Sequence, residues 1–193
     1  MRLRARWASW RNRRKALIVA AVALLCVGLA CTASERAATP TPRPGTSRGN
    51  PVPFGTSAIV DDMAIVVGES VRPADRIVAA NNLFYSEPAG GKEYILVIVG
   101  VKCMRPADKT CRIGTINFKM VGSKGIISDP DTLAMAGSFS DDALMGEFGL
   151  GTEFFGEAIT GGVVVFQVDC DDSDLLLIYE PLLGTKKTYM ALE

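Results

Sequence analysis

The chain of 193 residues contains no histidine. That removes the commonest general base and the usual ligand of catalytic zinc sites, so neither a Ser-His-Asp nor a Cys-His nucleophilic centre can be assembled from it. An enzyme built on this sequence would be left with Ser-Lys or paired-carboxylate chemistry. Phosphate-binding and redox signatures are missing as well. There is no Gly-x-x-x-x-Gly-Lys-[Ser/Thr] loop, no Gly-x-Gly-x-x-Gly after a strand pattern and no Cys-x-x-Cys, which leaves nucleotide, dinucleotide and dithiol functions without their residues and implies no cofactor. No window of about a dozen residues sustains a helical period. No apolar run reaches the roughly 20 residues that a bilayer-spanning helix prefers.

What is present begins with a concentration of positive charge. Arg2, Arg4, Arg6, Arg11, Arg13, Arg14 and Lys15 share one segment with no acidic residue, and Ala16 to Ala30, ALIVAAVALLCVGLA, follows as a continuous apolar stretch. A basic segment ahead of about 15 apolar residues is the pattern of a secretory signal, and the positive charges hold that end in the cytoplasm while the rest is exported. Gly28-Leu29-Ala30-Cys31 resembles the lipobox of bacterial lipoproteins. That resemblance implies lipidation of Cys31 and anchoring on the outer face of the cytoplasmic membrane. An uncleaved signal anchor is the alternative, and both readings tether the protein. Several buried acyl chains, at about 0.8 kcal/mol per CH₂, suffice for stable attachment.

Beyond Cys31, fourteen basic residues face 21 acidic ones, a net charge of −7. The basic residues are scattered, so nucleic acid is not an expected partner. Residues 32–53 include Pro40, Pro42, Pro44, Pro51 and Pro53 among Thr, Ser, Ala and Gly, and read as a disordered, solvated spacer. Within it, Gly45-Thr46-Ser47-Arg48-Gly49 satisfies the Gly-x-Ser-x-Gly spelling of serine hydrolases. It lacks the strand before and helix after that the motif requires, and the chain offers no histidine as base.

Residues 54–193 form one domain's worth of chain. Their apolar residues fall in short runs separated by Gly, Pro and Asp. Met63, Ile65 and Val67 alternate within Ile59 to Val67, where Asp61-Asp62 reads as a bulge or an exposed edge. Tyr94 to Val101, YILVIVGV, is apolar on both faces and reads as a central strand. Ile113 to Val121 alternates, with Ile116, Phe118 and Met120 on one side and Thr115, Asn117 and Lys119 on the other. Val163 to Val168, Leu175 to Tyr179 and Thr188 to Leu192 complete the set. Asp129 to Leu144 has room for a short helical turn. The pattern predicts an all-β sandwich.

Three segments resemble the DUF4352 family, a telokin-like, immunoglobulin-like β-sandwich of exported bacterial proteins. They are Gly91-Lys92-Glu93-Tyr94 leading into ILVIVGV, Phe155-Gly156-Glu157-Ala158-Ile159-Thr160-Gly161-Gly162 leading into VVVFQV, and Leu175 to Tyr179 after a short acidic turn. The resemblance covers roughly Phe54 to Leu192. It implies the fold and an extracytoplasmic location, and it transfers no catalytic residue.

Of the five cysteines, Cys26 lies in the signal and Cys31 at the lipobox, leaving Cys103, Cys111 and Cys170. Cys103 and Cys111 flank MRPADKT, a turn-forming segment between two strands, so a hairpin-closing disulfide is expected in an oxidising compartment. Two free thiols, or a pair involving Cys170, are the alternatives. Asp169, Asp171, Ser173 and Glu180 take the first, third, fifth and twelfth places of a calcium loop, but Asp174 stands where the sharp turn needs Gly. The segment therefore reads first as a solvated acidic turn and only weakly as a metal site. The expected function is a non-enzymatic envelope module for binding or adhesion, with loops Asn81 to Gly91 and Ser138 to Gly151 (Phe139, Met145, Phe148) as candidate contact surfaces. A structural or accessory subunit of an envelope assembly and a histidine-free enzyme are the alternatives.

Overall fold

A computed structural model describes residues 42–82, 85–135, 152–182 and 186–193. Among the described residues the short β-branched runs become ten strands, β1 (Ala58–Val60), β2 (Met63–Val71), β3 (Lys92–Cys103), β4 (Thr110–Ile113), β5 (Phe118–Val121), β6 (Ile127–Ser128), β7 (Thr152–Phe155), β8 (Ile159–Asp169), β9 (Leu176–Tyr179) and β10 (Thr188–Ala191). One sheet has the order β1-β2-β3-β8 and a second β10-β9-β5-β6, while β4 and β7 form a two-stranded ribbon. All named pairings are antiparallel. This is the all-β sandwich expected from the sequence.

The run that is apolar on both faces is indeed central. β3 lies between β2 and β8, and Ile95, Leu96, Val97, Val99 and Val101 are all buried. Met63, Ile65 and Val67 point into the core together, as strand alternation requires. A single apolar cluster takes Val97 and Phe166 from one sheet and Phe118, Leu177 and Met190 from the other. The Phe118 and Tyr179 rings pack edge-on with centroids 5.7 Å apart, an arrangement the ring quadrupoles favour.

Four expectations are corrected. Asp61-Asp62 is neither a bulge nor an edge but the two-residue turn of a β1–β2 hairpin, with Val60 opposite Met63 and φ of +48° and +61°. Two consecutive positive φ values match the right-handed twist of the strands, and Asp tolerates them. The bulge lies further on, between Val67 and Ser70, at Gly68 and Glu69. Ile116 does not join Phe118 and Met120, because Thr115–Asn117 is a 3-10 turn that breaks the alternation, leaving Ile116 exposed and Thr115 and Asn117 buried. A helix, α1 (Asp75–Asn81), was not foreseen. Only Val78 in it is buried, so it has no apolar stripe for a periodicity reading to detect.

The fourth correction concerns the spacer. Within the expected linker 32–53, residues 42–53 are folded. Val52 is buried and pairs with the last strand, its N–H donating to Tyr189 O at 2.8 Å and its carbonyl accepting from Ala191 N at 2.9 Å. Gly45 sits against Val52 and Thr188 with φ +89°, so a side chain there would meet both steric and backbone strain. Residues 32–41 lie outside the described residues.

Candidate functional site

The two ends of the sandwich are built differently. At one end Cys103 and Cys111 are disulfide-bonded, with Cα atoms 5.7 Å apart; the pairing is the expected one, but it joins no hairpin, because β3 and β4 lie in different sheets and the bond ties the end of β3 to the β4–β7 ribbon. The loop they close rests on Gly156, where an added Cβ would lie 2.0 Å from Pro106 O and 2.3 Å from Arg105 O. Gly156 N donates to Lys109 O at 2.7 Å, and Glu157 N to Cys103 O at 2.9 Å. Gly156 thus has a packing reason, whereas Phe155 before it is exposed.

Beside this loop is a groove of about 540 Å³, within the size range of small-molecule sites. The β1–β2 turn, β4, the 3-10 turn and the residues after β9 enclose it. Met63, Ile113, Ile116, Pro181 and Leu182 make its surface mainly apolar, with Ile116 and Leu182 more than half exposed. Tyr179 is its most unusual member. The residue is only 2 % exposed, yet its hydroxyl has no hydrogen-bond partner among the described residues, although no fully buried side-chain oxygen there is left unpaired. The hydroxyl therefore opens onto the groove. Burial, and secondarily the Asp61 carboxylate, push its pKa up to about 12, so it is a neutral phenol at any physiological pH. Sequence reasoning did not find this site, because its residues come from positions 61 to 182 and share no local motif.

The opposite end carries the acidic turn. Asp169 and Asp171 both ion-pair with Lys124 Nζ, the former at 3.1 Å. Asp172 is buried, accepting from Ser123 Oγ at 2.8 Å and Lys124 N at 2.9 Å. Burial raises the Asp172 pKa, but these hydrogen bonds and the Lys124 charge outweigh it, and the net shift is downward. Arg72, just after β2, clamps the turn, donating to Asp172 O at 2.6 Å, Asp169 O at 3.0 Å and Cys170 O at 3.2 Å, and pairing with Glu93 of β3 at 2.6 Å. The four weak calcium candidates do not converge. Asp169, Asp171 and Ser173 belong to this turn, whereas Glu180 lies beyond β9 and pairs with Lys187 at 3.5 Å. Among the described residues no group of three or more acidic or cysteine side chains is placed to hold a metal.

Cys170 is free and exposed. Its N–H bonds Gly91 O before β3 begins, whereas Cys103 ends β3, so a strand of roughly 35 Å separates the two and excludes the rival pairing. Ser47 of the hydrolase-like spelling lies in a surface turn bridged to Asn50, with neither strand nor helix around it. In the loop from Asn81 to Gly91, Asn82 is buried and donates to Leu133 O at 2.7 Å, and Tyr85 packs against Tyr94, so these two side chains cap the sandwich and are not free contacts. Within Asp129 to Leu144 a helical turn does form, with Met135 N donating to Asp131 O at 3.1 Å. Phe139, Met145, Phe148 and Cys31 lie outside the described residues. Among the described residues no helix is long and apolar enough to cross a membrane.

No family model matches the sequence, and no curated protein matches it. Several solved structures align with part of the chain. The yjhA protein of Bacillus subtilis aligns with 12 % identity over 74 % of this chain and 99 % of its own, at a TM-score of 0.48. The ycdA protein of the same organism, a candidate lipoprotein, aligns with 13 % identity over 70 % of this chain, at a TM-score of 0.47, and this chain spans 38 % of its length. The secreted protein MPT63 of Mycobacterium tuberculosis aligns with 11 % identity over 73 % of this chain and 97 % of its own, at a TM-score of 0.44.

Proposed function

We propose that the protein is an exported lipoprotein of the cell envelope, tethered at Cys31, whose β-sandwich is a non-enzymatic binding module of the DUF4352 kind with the groove beside the disulfide as its site. The groove carries this reading. A mainly apolar concavity, held by a disulfide-closed loop and containing a buried tyrosine whose hydroxyl lacks a partner, has the make-up of a ligand site. Export and tethering rest on the basic-apolar-Cys31 pattern of residues 1–31, and the family kinship on the three segments around Gly91, Gly156 and Leu175. The lining also argues against chemistry. Asp61 is the single carboxylate among the described lining residues, and no lysine joins it. Paired-carboxylate and Ser-Lys mechanisms both need a second group, and a phenol with a pKa near 12 is a poor base.

The test is NMR of the mature, isotope-labelled protein in lipid nanodiscs, titrated with the small-molecule fraction of the producing cell's envelope. Shifts confined to Ile113, Ile116, Asn117 and Tyr179 are expected. No shift, or shifts centred on the acidic turn, would contradict the assignment.

A further inference from the structure

We infer that the groove takes a small uncharged molecule, an apolar body carrying one carbonyl-type oxygen that accepts a hydrogen bond from the Tyr179 hydroxyl; the inference rests on the binding reading above.

The polar groups of the wall lead there once each is followed to its partner. Three lining residues have uncharged polar side chains, Thr110, Asn117 and Tyr179. Thr110 Oγ1 donates to Glu153 Oε1 at 2.6 Å. Asn117 is used at both ends, its Oδ1 accepting from Gly114 N at 3.0 Å and its Nδ2 donating to Glu180 O at 3.2 Å. Tyr179 alone is left over, since its hydroxyl has no partner among the described residues although the residue is 2 % exposed. A buried tyrosine normally finds one. The missing partner must come from the groove side, and it must be an acceptor. With its pKa pushed up to about 12, chiefly by burial, the phenol keeps its proton, and a desolvated O–H left without an acceptor costs free energy that an incoming oxygen recovers.

The charged groups of the wall favour neither sign. Arg105 Nε pairs with Asp62 at 3.2 Å, and its NH1 donates to Thr110 O at 2.8 Å. Asp61 and Arg112, one of each sign, are exposed and without an ion pair among the described residues, so water solvates both and their fields oppose each other in the groove. A charged ligand would surrender hydration to a mainly apolar wall, which an uncharged one avoids. The apolar body of such a ligand covers Ile116 and Leu182, which otherwise stay open to water.

The core is drawn from residues between Val52 and Leu192, so residues 42–193 carry their own fold, and thermal melting checks that they do. This domain, with its disulfide formed, is titrated calorimetrically at neutral pH with methyl hexyl ketone, octylamine and octanoate, each below any micelle concentration. The probes are of one size and differ in head charge. The ketone is expected to bind most tightly. Tyr179→Phe should weaken the ketone about five-fold, the size of effect one net hydrogen bond gives, and leave octylamine, whose ammonium accepts nothing, unchanged. Its melting temperature should hold, because Phe keeps the ring against Phe118 and the hydroxyl it removes has no partner among the described residues. Leu182→Ser should weaken all three probes. Octylamine or octanoate binding as tightly as the ketone would overturn the uncharged ligand while leaving the groove as a site. Undiminished ketone binding by Tyr179→Phe, or an alkane-like carbonyl stretch in the infrared spectrum of the bound ketone, would overturn the hydrogen bond. Absence of binding by all three would overturn the binding reading itself.

Discussion

Arg72 gives the sharpest quantitative test of how the fold is held. One guanidinium reaches four acceptors, the Glu93 carboxylate and the carbonyls of Asp169, Cys170 and Asp172. It thereby joins the end of β2 to β3 and to the acidic turn between β8 and β9. Replacing it by Ala removes the charge-assisted bonds and leaves Glu93, whose side chain is 16 % exposed, without its partner. Charged hydrogen bonds contribute about 1.5–3 kcal/mol each, but these share one side chain and part of the site sees solvent. The expected net loss is about 2–4 kcal/mol, or roughly 5–15 °C in melting temperature for a domain of this size. Urea unfolding followed by circular dichroism reads the change as a lower midpoint at unchanged slope. Arg72→Lys should recover only part of the loss, because an ammonium can pair with Glu93 but cannot span the fork of carbonyls. Arg105→Ala is the control. Its pair with Asp62 is exposed, with side-chain exposures of 44 % and 66 %, and should cost at most about 1 kcal/mol. If Arg72→Ala cost no more than Arg105→Ala, the clamp would not be holding the turn.

Three further outcomes follow from the same geometry. Replacing Cys103 and Cys111 together by Ser opens a loop with a sequence separation of 8 and should cost about 2–3 kcal/mol, while thiol titration of the folded domain 42–193 should find one reactive group, Cys170. Gly156→Ala forces a methyl group against the carbonyls of Arg105 and Pro106 and should destabilise by about 2 kcal/mol or more, visible in thermal melting. Asp172 titrates below the ordinary aspartate value of 3.8 in the folded state. Its stabilisation is therefore complete above the unfolded-state pKa and is lost as pH falls through the depressed folded value. Asp172→Asn should flatten the acid limb of the stability curve, measured by urea unfolding between about pH 2 and 6.

Strands with an uninterrupted apolar signature were legible in the sequence. β3 could be read from Tyr94 to Val101 because both of its faces are covered, and β2 because Met63, Ile65 and Val67 alternate into one core. Where the reading failed, local chemistry had a second meaning. Asp61-Asp62 looked like charge intruding on a strand, yet adjacent Asp residues also suit the positive-φ pair of a tight hairpin. Ile116 kept the strand alternation in sequence while a 3-10 turn rotated it out to solvent. Pro42 to Pro53 has the composition of a spacer, and a single apolar residue, Val52, docks it through backbone hydrogen bonds to β10. Composition does not report such pairing, since each group belongs to the backbone. The groove was the least legible element. Asp61, Ile116, Tyr179 and Leu182 meet only through the packing of two sheets, and none carries a motif of its own.

Tethering at Cys31 together with a folded binding domain is the central claim, and the intact mass of the mature protein purified from membranes of an expressing bacterium tests its first half directly. The account predicts a chain beginning at Cys31 with a lipid-sized mass increment, lost in a Cys31→Ser variant. A membrane-bound chain that still begins at Met1 in both would contradict lipid anchoring and mark the apolar segment as an uncleaved anchor.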